Sequence, residues 1–350
     1  MDLQGLTPEQ LYQLPGAQPP PGVQPNFDNP ESTAPEAIAI ISVVLGIMII
    51  VVAMRMYTRI AIVKKHGIDD WAALAGAIFI SGDAGVSYFL LAKNWFGPHT
   101  WNIRLVVFLS PAYNYSLVAT AFLSYSTSLL VKASLFLFVA RIFPRRTSPK
   151  TTYAAWFGLG ITIAAFSALL IQFGVACAPR SSDHGALPKN CTASVRQTQG
   201  VVGAVINAVI DVYVLSIVIP PILALQMPTK RKVGVIAVLG FGAVAFAISI
   251  VALYYRAIYS PDPARNQTLS LVFASVEPAV AIITASLPAL PSFWTEISTK
   301  MGSSLRHMRS NGFTSSFGPT RETEDSRTKA GYELHSRSTD ELHPYSGGNV

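Results

Sequence analysis

Three carboxylates occupy positions where a charge is expensive: Asp83, Asp211 and Glu277 each fall in the middle of a long apolar run. A charged side chain at the centre of a bilayer costs at least about 2.5 kcal/mol even on lenient scales. At a rise of about 1.5 Å per residue, all three lie roughly 15–18 Å from the ends of their runs and share one level. Acids held there can serve a polar pocket or an ion site. Asn207 stands four residues before Asp211 on the same side of a helix, and Ser270, Glu277 and Thr284 recur every seven positions. A further stripe, Ser116, Thr120, Ser124, Ser128 and Lys132, advances in steps of four. On a helix of 3.6 residues per turn it drifts by about 40° per step. Such stripes face the inside of a helix bundle. Two readings stay open for them: a polar pocket among helices 2, 3, 5 and 7, or packing glue of the kind small hydroxyl residues supply between transmembrane helices. The cost of the carboxylates favours a functional role for the acids, whereas the hydroxyls read as glue.

The elements that must carry these residues are seven apolar stretches, at approximately residues 37–59, 71–92, 113–140, 153–176, 201–226, 233–259 and 267–290. A hydrocarbon core of about 30 Å needs roughly 20 apolar residues in a helix. In lipid every backbone N–H and C=O must be paired within its own segment, so runs of this length are helices. The expected fold class is therefore all-α, a polytopic seven-transmembrane helix bundle surrounded by membrane lipid. Composition agrees: charged residues make up 13% of the chain and hydrophobic ones 51%, against about 25% charged in a soluble domain. The net charge of +7 does not indicate nucleic-acid binding, because the basic residues gather in loops on one side.

Lys and Arg decide the orientation. None precedes Arg55. The first loop begins with Arg59, Lys64 and Lys65, the third carries Arg141, Arg145, Arg146 and Lys150, and the fifth carries Lys230, Arg231 and Lys232. The positive-inside rule places these loops in the cytoplasm, with the N-terminus outside and the C-terminus inside. The plasma membrane is the expected location. Cys177, Cys191 and the sequons at Asn190 and Asn266 then fall in outer loops, on the oxidising side. A Cys177–Cys191 disulfide is expected, closing a loop of about 15 residues for about 3 kcal/mol; two free thiols are the alternative. Asn190 and Asn266 are candidate glycosylation acceptors, the first beside a cysteine and the second close to the membrane. Arg256 lies near the outer end of its stretch, and Arg55 and Lys132 lie towards inner ends, where long side chains can snorkel to the interface. On this reading the bases need not neutralise the acids.

Residues 1–36 hold eight prolines, with no basic n-region or apolar h-region. They read as a disordered outer tail, not a signal peptide. Over 291–309, Phe293, Trp294, Ile297, Met301, Leu305 and Met308 alternate with Lys300, Arg306 and Arg309. This suggests an amphipathic helix on the inner leaflet, with an ordinary juxtamembrane stop as the alternative. Residues 310–350 read as a disordered cytoplasmic tail rich in Ser and Thr, open to kinases.

Some chemistry is not expected. No histidine lies within a stretch, and there is no H-E-x-x-H pair, phosphate loop or G-x-S-x-G elbow. The chain reads as a non-enzyme. The last stretch has no lysine for a retinal Schiff base, so no cofactor is expected and no metal.

Several short motifs occur in order. Gly67-Ile68-Asp69-Asp70-Trp71 leads into the second stretch, Gly97 and His99 follow it, and Lys132, Ser134, Arg141 and Phe143 mark the end of the third. Cys177, Pro179 and Cys191 come next, then Asp211, Pro220, Gln226, Lys232 and Arg256, and finally Glu277-Pro278 and Leu287-Pro288. In this order over seven stretches the chain resembles the fungal rhodopsin-domain integral membrane proteins, across most of residues 37–295. A tryptophan expected between the two cysteines is missing. The resemblance implies a receptor-like architecture: an orphan sensor of an unknown extracellular ligand, with a heterotrimeric G protein as candidate partner. The Asp/Glu-Arg-Tyr and Asn-Pro-x-x-Tyr switches of class A receptors are not carried over, since Ala140 precedes Arg141 and the last stretch has Glu277-Pro278. Asp69 and Asp70, facing Lys64, Lys65 and the inner ends of neighbouring helices, read as an inner-loop clasp and a helix N-cap. The alternatives are a transporter or proton-linked permease, motivated by the three acids but showing no inverted repeat, and an accessory membrane protein of a secondary-metabolite pathway.

Overall fold

The computed structural model describes residues 12–177, 188, 190–224, 229–257, 262–287 and 293, without the side chains of 222–239 and 241. Long helices follow one another as α1 (Ala34–Tyr57), prolonged by a π turn over Thr58–Ile62, α2 (Ile68–Ala92), α3 (Pro111–Ile142), α4 (Pro149–Cys177), α5 (Ala193–Ala224), α6 (Thr229–Ala257) and α7 (Pro263–Ser286). Between α2 and α3 the chain makes a 3-10 turn, Thr100–Asn102, and a short helix, Leu105–Leu109. Among the described residues there is no strand, so the all-α bundle expected from the apolar runs is present. Among the described residues, α1 to α5 and α7 are long and apolar enough to cross a membrane, and the described part of α6 contributes an apolar run, Gly242–Ala257.

Proline opens several of these helices, at Pro111, Pro149 and Pro263. There its missing N–H costs nothing and its fixed φ already suits a helix. Consecutive helices pack side by side and α7 returns to α1, while α3 also touches α5 and α7 and so sits nearest the middle. One face of each outer helix keeps bulky apolar side chains exposed, such as Ile47 and Ile50 on α1 and Phe157, Ile171 and Val175 on α4. An uninterrupted apolar surface of this kind belongs in lipid rather than water. Inside, Met48, Ile80, Val131 and Ile282 join α1, α2, α3 and α7, and Phe136, Phe166, Phe173 and Ile210 join α3, α4 and α5.

The segment before α1 differs from the expected disordered tail, because residues 12–33 are docked on the end of the bundle. Leu105 N–H donates to the Leu14 carbonyl at 2.8 Å and Gly16 N–H to the Ile103 carbonyl at 2.7 Å. The Arg104 guanidinium lies 4.2 Å from the centre of the Tyr12 ring. Thr33 N–H reaches the Gly97 carbonyl at 3.2 Å. Gly97 holds φ +111°, and a Cβ there would fall 2.4 Å from Ser32 Oγ, so this crossing needs glycine. A Pro-rich composition signals low helix and strand propensity, but the loop after α2 supplies the backbone partners that the segment cannot make internally. The expected inner-leaflet helix at 291–309, apart from Phe293, and the tail at 310–350 lie outside the described residues.

Candidate functional site in the bundle interior

The centre of the bundle holds a cavity of about 40 Å³, lined by Ser128, Lys132, Asn207, Asp211, Arg256 and Glu277 among others. That is room for roughly two or three waters. The second half of the α3 stripe, Ser124, Ser128 and Lys132, lines this cavity, and Lys132 donates to Asp211 Oδ1 on α5. The two side chains are only 4% and 11% exposed. Ser249 on α6 completes the carboxylate, donating to Asp211 Oδ2 at 2.8 Å. Asn207, one turn before Asp211, donates through Nδ2 to Glu277 on α7. Each of these contacts joins two helices.

The expectation that the bases need not neutralise the acids is corrected for Lys132. Lys132 does not snorkel: an unpaired ammonium in this interior would cost several kcal/mol, and Asp211 lies within reach. Arg256 comes one residue before the end of α6 yet lines the cavity. Helical side chains lean towards the helix N-terminus, which on α6 is towards the middle of the bundle. Arg55, in the last turn of α1, is 1% exposed.

Asp83 stands apart from the other four candidates. Ser124, which also lines the cavity, donates to Asp83 Oδ2 at 3.2 Å, bridging α3 and α2. The remaining stripe residues turn back on their own helices: Ser116, Thr120, Ser270 and Thr284 each donate to the carbonyl four residues earlier. Of these hydroxyls, Ser124 bridges two helices and Ser128 lines the cavity.

At the end of the bundle opposite the docked segment lies an ionic knot. Arg55 donates from Nε to Asp70 Oδ1 at 2.9 Å, from Nη2 to Asp69 Oδ2 at 3.0 Å and from Nη1 to the Ala285 carbonyl at 2.7 Å. Arg141 Nη1 reaches Asp69 at 2.8 Å and Asp70 at 3.1 Å, and Nη2 reaches the Lys65 carbonyl at 2.7 Å. Arg59 Nε lies 3.6 Å from Asp70. Asp70 also accepts from Gly67 N–H at 3.0 Å, the expected cap. The clasp is thus closed by the inner ends of α1 and α3 and not by Lys64 or Lys65: planar guanidinium forks match two carboxylates, which a lysine ammonium cannot do. Lys64 and Lys65 stay exposed. Gly67 is required by crowding, since a Cβ would sit 2.4 Å from Asp69 Oδ1 and 2.8 Å from Arg141 Nη1. Trp71 is 52% exposed and takes no part in the knot.

At the docked-segment end, Cys177 and Cys191 form the expected disulfide. Asn190 is exposed. Asn266, expected in a loop, is instead in the first turn of α7, with Nδ2 donating to the Tyr255 carbonyl at 2.7 Å. Nearby, His99 Nδ1 contacts Asp262 Oδ2 at 2.6 Å and its Nε2 contacts Arg265 Nη1 at 2.6 Å. A guanidinium can only donate, so Nε2 accepts and Nδ1 carries the proton to Asp262. Burial pushes the Asp262 carboxyl up, but hydrogen bonds from the Thr100 hydroxyl and amide and from His99 outweigh it and hold the group below the usual carboxylate range.

A family described as Fungal rhodopsin domain matches residues 54–296, from the end of α1 to just beyond α7. The chain belongs to the fungal rhodopsin domain family. No curated protein matches it. The span of the fungal rhodopsin domain contains the ionic knot, the cavity and the disulfide, whereas the docked segment precedes it. Within the domain, Ser249, Arg59 and Asp262 were not singled out from sequence. Ser249 had a readable signal, since it stands seven residues before Arg256 on the same face of α6. The other two are recognisable only by what lies across from them.

Proposed function

We propose that this fungal rhodopsin domain protein is a receptor-like sensor, with the docked segment outside the cell, the ionic knot and basic loops in the cytoplasm, and the plasma membrane as its site. One observation carries the reading: the Lys132–Asp211 ion pair and the Asn207–Glu277 and Ser249–Asp211 hydrogen bonds link helix to helix around a cavity of about 40 Å³. Contacts spanning α3, α5, α6 and α7 must break and re-form when the helices shift. Such a network suits a bistable bundle that reports a ligand. The basic loops give it the orientation, by the positive-inside rule. A ligand displacing the segment at 12–33 has a direct mechanical path to α2 and α3, to which that segment is hydrogen-bonded through the intervening loop.

The candidate partner is a heterotrimeric G protein. Purified protein is incubated with Gα subunits from a fungal source, with and without a GTP analogue. Capture of nucleotide-free Gα and its release by the analogue support the reading. If no Gα is captured while proteoliposomes move protons or small solutes, the chain is a permease instead.

A further inference from the structure

We propose that Asp83 anchors a binding site for a single monovalent alkali cation of sodium size, formed by α2, α3 and α7. The first support is a charge count. At the level of the cavity, Asp83, Asp211 and Glu277 face only Lys132 and Arg256. Lys132 is bound to Asp211, while Arg256, on the cavity wall, acts on Asp83 across a distance without forming an ion pair. Two bases do not balance three acids, and Asp83, 3% exposed, forms no ion pair among the described residues. A buried carboxylate without a counter-charge is strongly disfavoured.

The second support is a set of unused oxygens. Asp83 Oδ1 has no hydrogen-bond partner among the described residues, and neither do the hydroxyls of Ser87, Thr127 and Ser275. All four residues are at most 4% exposed. Most interior hydroxyls here, including Thr58, Ser81, Thr162, Thr268 and Ser286, satisfy themselves on the carbonyl four residues earlier. Ser87, Thr127 and Ser275 do not.

Helix register brings these atoms together. A Cβ on Gly76 of α2 would lie 3.1 Å from Val131 of α3 and 3.5 Å from Ile282 of α7, so the three helices meet there. α2 runs towards the docked-segment end and α3 and α7 run away from it. Two helical turns, about seven residues, return each helix to the same face. Moving two turns towards the docked-segment end therefore leads to Asp83, Ser124 and Ser275 together. The Ser124–Asp83 hydrogen bond of 3.2 Å confirms the level. Ser87 lies one turn beyond Asp83 and Thr127 one turn short of Ser124, flanking the same point. One carboxylate oxygen with neutral hydroxyls is a hard, singly charged ligand set. It lacks the several carboxylates with which proteins hold calcium.

The test is thermal unfolding of the purified full chain in detergent, with NaCl, KCl or N-methylglucamine chloride at constant ionic strength. The expected result is a saturable rise of about 3 °C or more in sodium over N-methylglucamine at 0.15 M, lost in Asp83→Asn. If Asp83→Asn does not fold, Ser275→Ala serves: it should fold and need roughly tenfold more sodium for the same shift. A wild-type melting temperature indifferent to the cation overturns the proposal and leaves the site to water or a proton. So does a sodium effect that survives both substitutions. Neither outcome depends on whether the chain captures Gα.

Discussion

The Lys132–Asp211 pair offers the sharpest trial of the interior network. Removing one partner of a buried ion pair typically costs about 3–5 kcal/mol, because the survivor is left charged and unsolvated. Lys132→Met strands Asp211 with only Ser249, and Asp211→Asn strands an ammonium that is 4% exposed. Each single variant should melt roughly 6–20 °C lower, at about 2–4 °C per kcal/mol for a domain of this size. The double variant Lys132→Met/Asp211→Leu removes both charges and keeps apolar volume, a change often close to neutral. It should therefore recover most of the loss, giving a coupling of at least about 3 kcal/mol between the positions. Melting curves in one detergent under one set of conditions measure all four proteins. If the double variant loses the sum of the two single losses, the side chains are not paired and the reasoning about the cavity fails.

Arg55→Lys should destabilise the bundle by about 3 kcal/mol or more, since one ammonium cannot reach Asp69, Asp70 and the Ala285 carbonyl together; an unchanged melting temperature counts against the knot as a fastener of α1, α2 and α7. Asp262 sets a pH dependence. Its carboxyl is held below the usual range, so its contribution to stability is complete above its unfolded pKa of about 3.9 and disappears as pH falls through the lower folded value. Asp262→Asn should accordingly melt lower than wild type at pH 6–7, with the gap closing in acid as Asp262 itself protonates. A gap that widens in acid refutes the assignment of His99 and Thr100 as its partners.

Much of this was legible in the chain. Length and composition were enough for the helices, because in lipid a long apolar run has no other way to satisfy its backbone. The redox argument led correctly to Cys177–Cys191, and the i, i+4 spacing placed Asn207 and Asp211 on one interior face. Spacing along one helix says which way a residue points, but not what stands opposite. Lys132 and Asp211 are separated by 79 positions, and Arg55 and Ala285 by 230. Depth counted along each helix also misplaced the bases, since it located Cα atoms and not the ends of long side chains. Arg256 reaches back from a helix end to the cavity, and Arg55, near the end of α1, turns to two carboxylates. The docked segment at 12–33 was likewise invisible, because its partners belong to the loop after α2.

From sequence alone, then, came the elements, their apolar outer faces and the list of costly interior charges, all properties of one segment at a time. Tertiary structure alone decided which charges neutralise each other, how small the enclosed space is and which oxygens remain without a partner. Those depend on register between helices far apart in the chain, and a shift of one residue turns each side chain by about 100° around its helix.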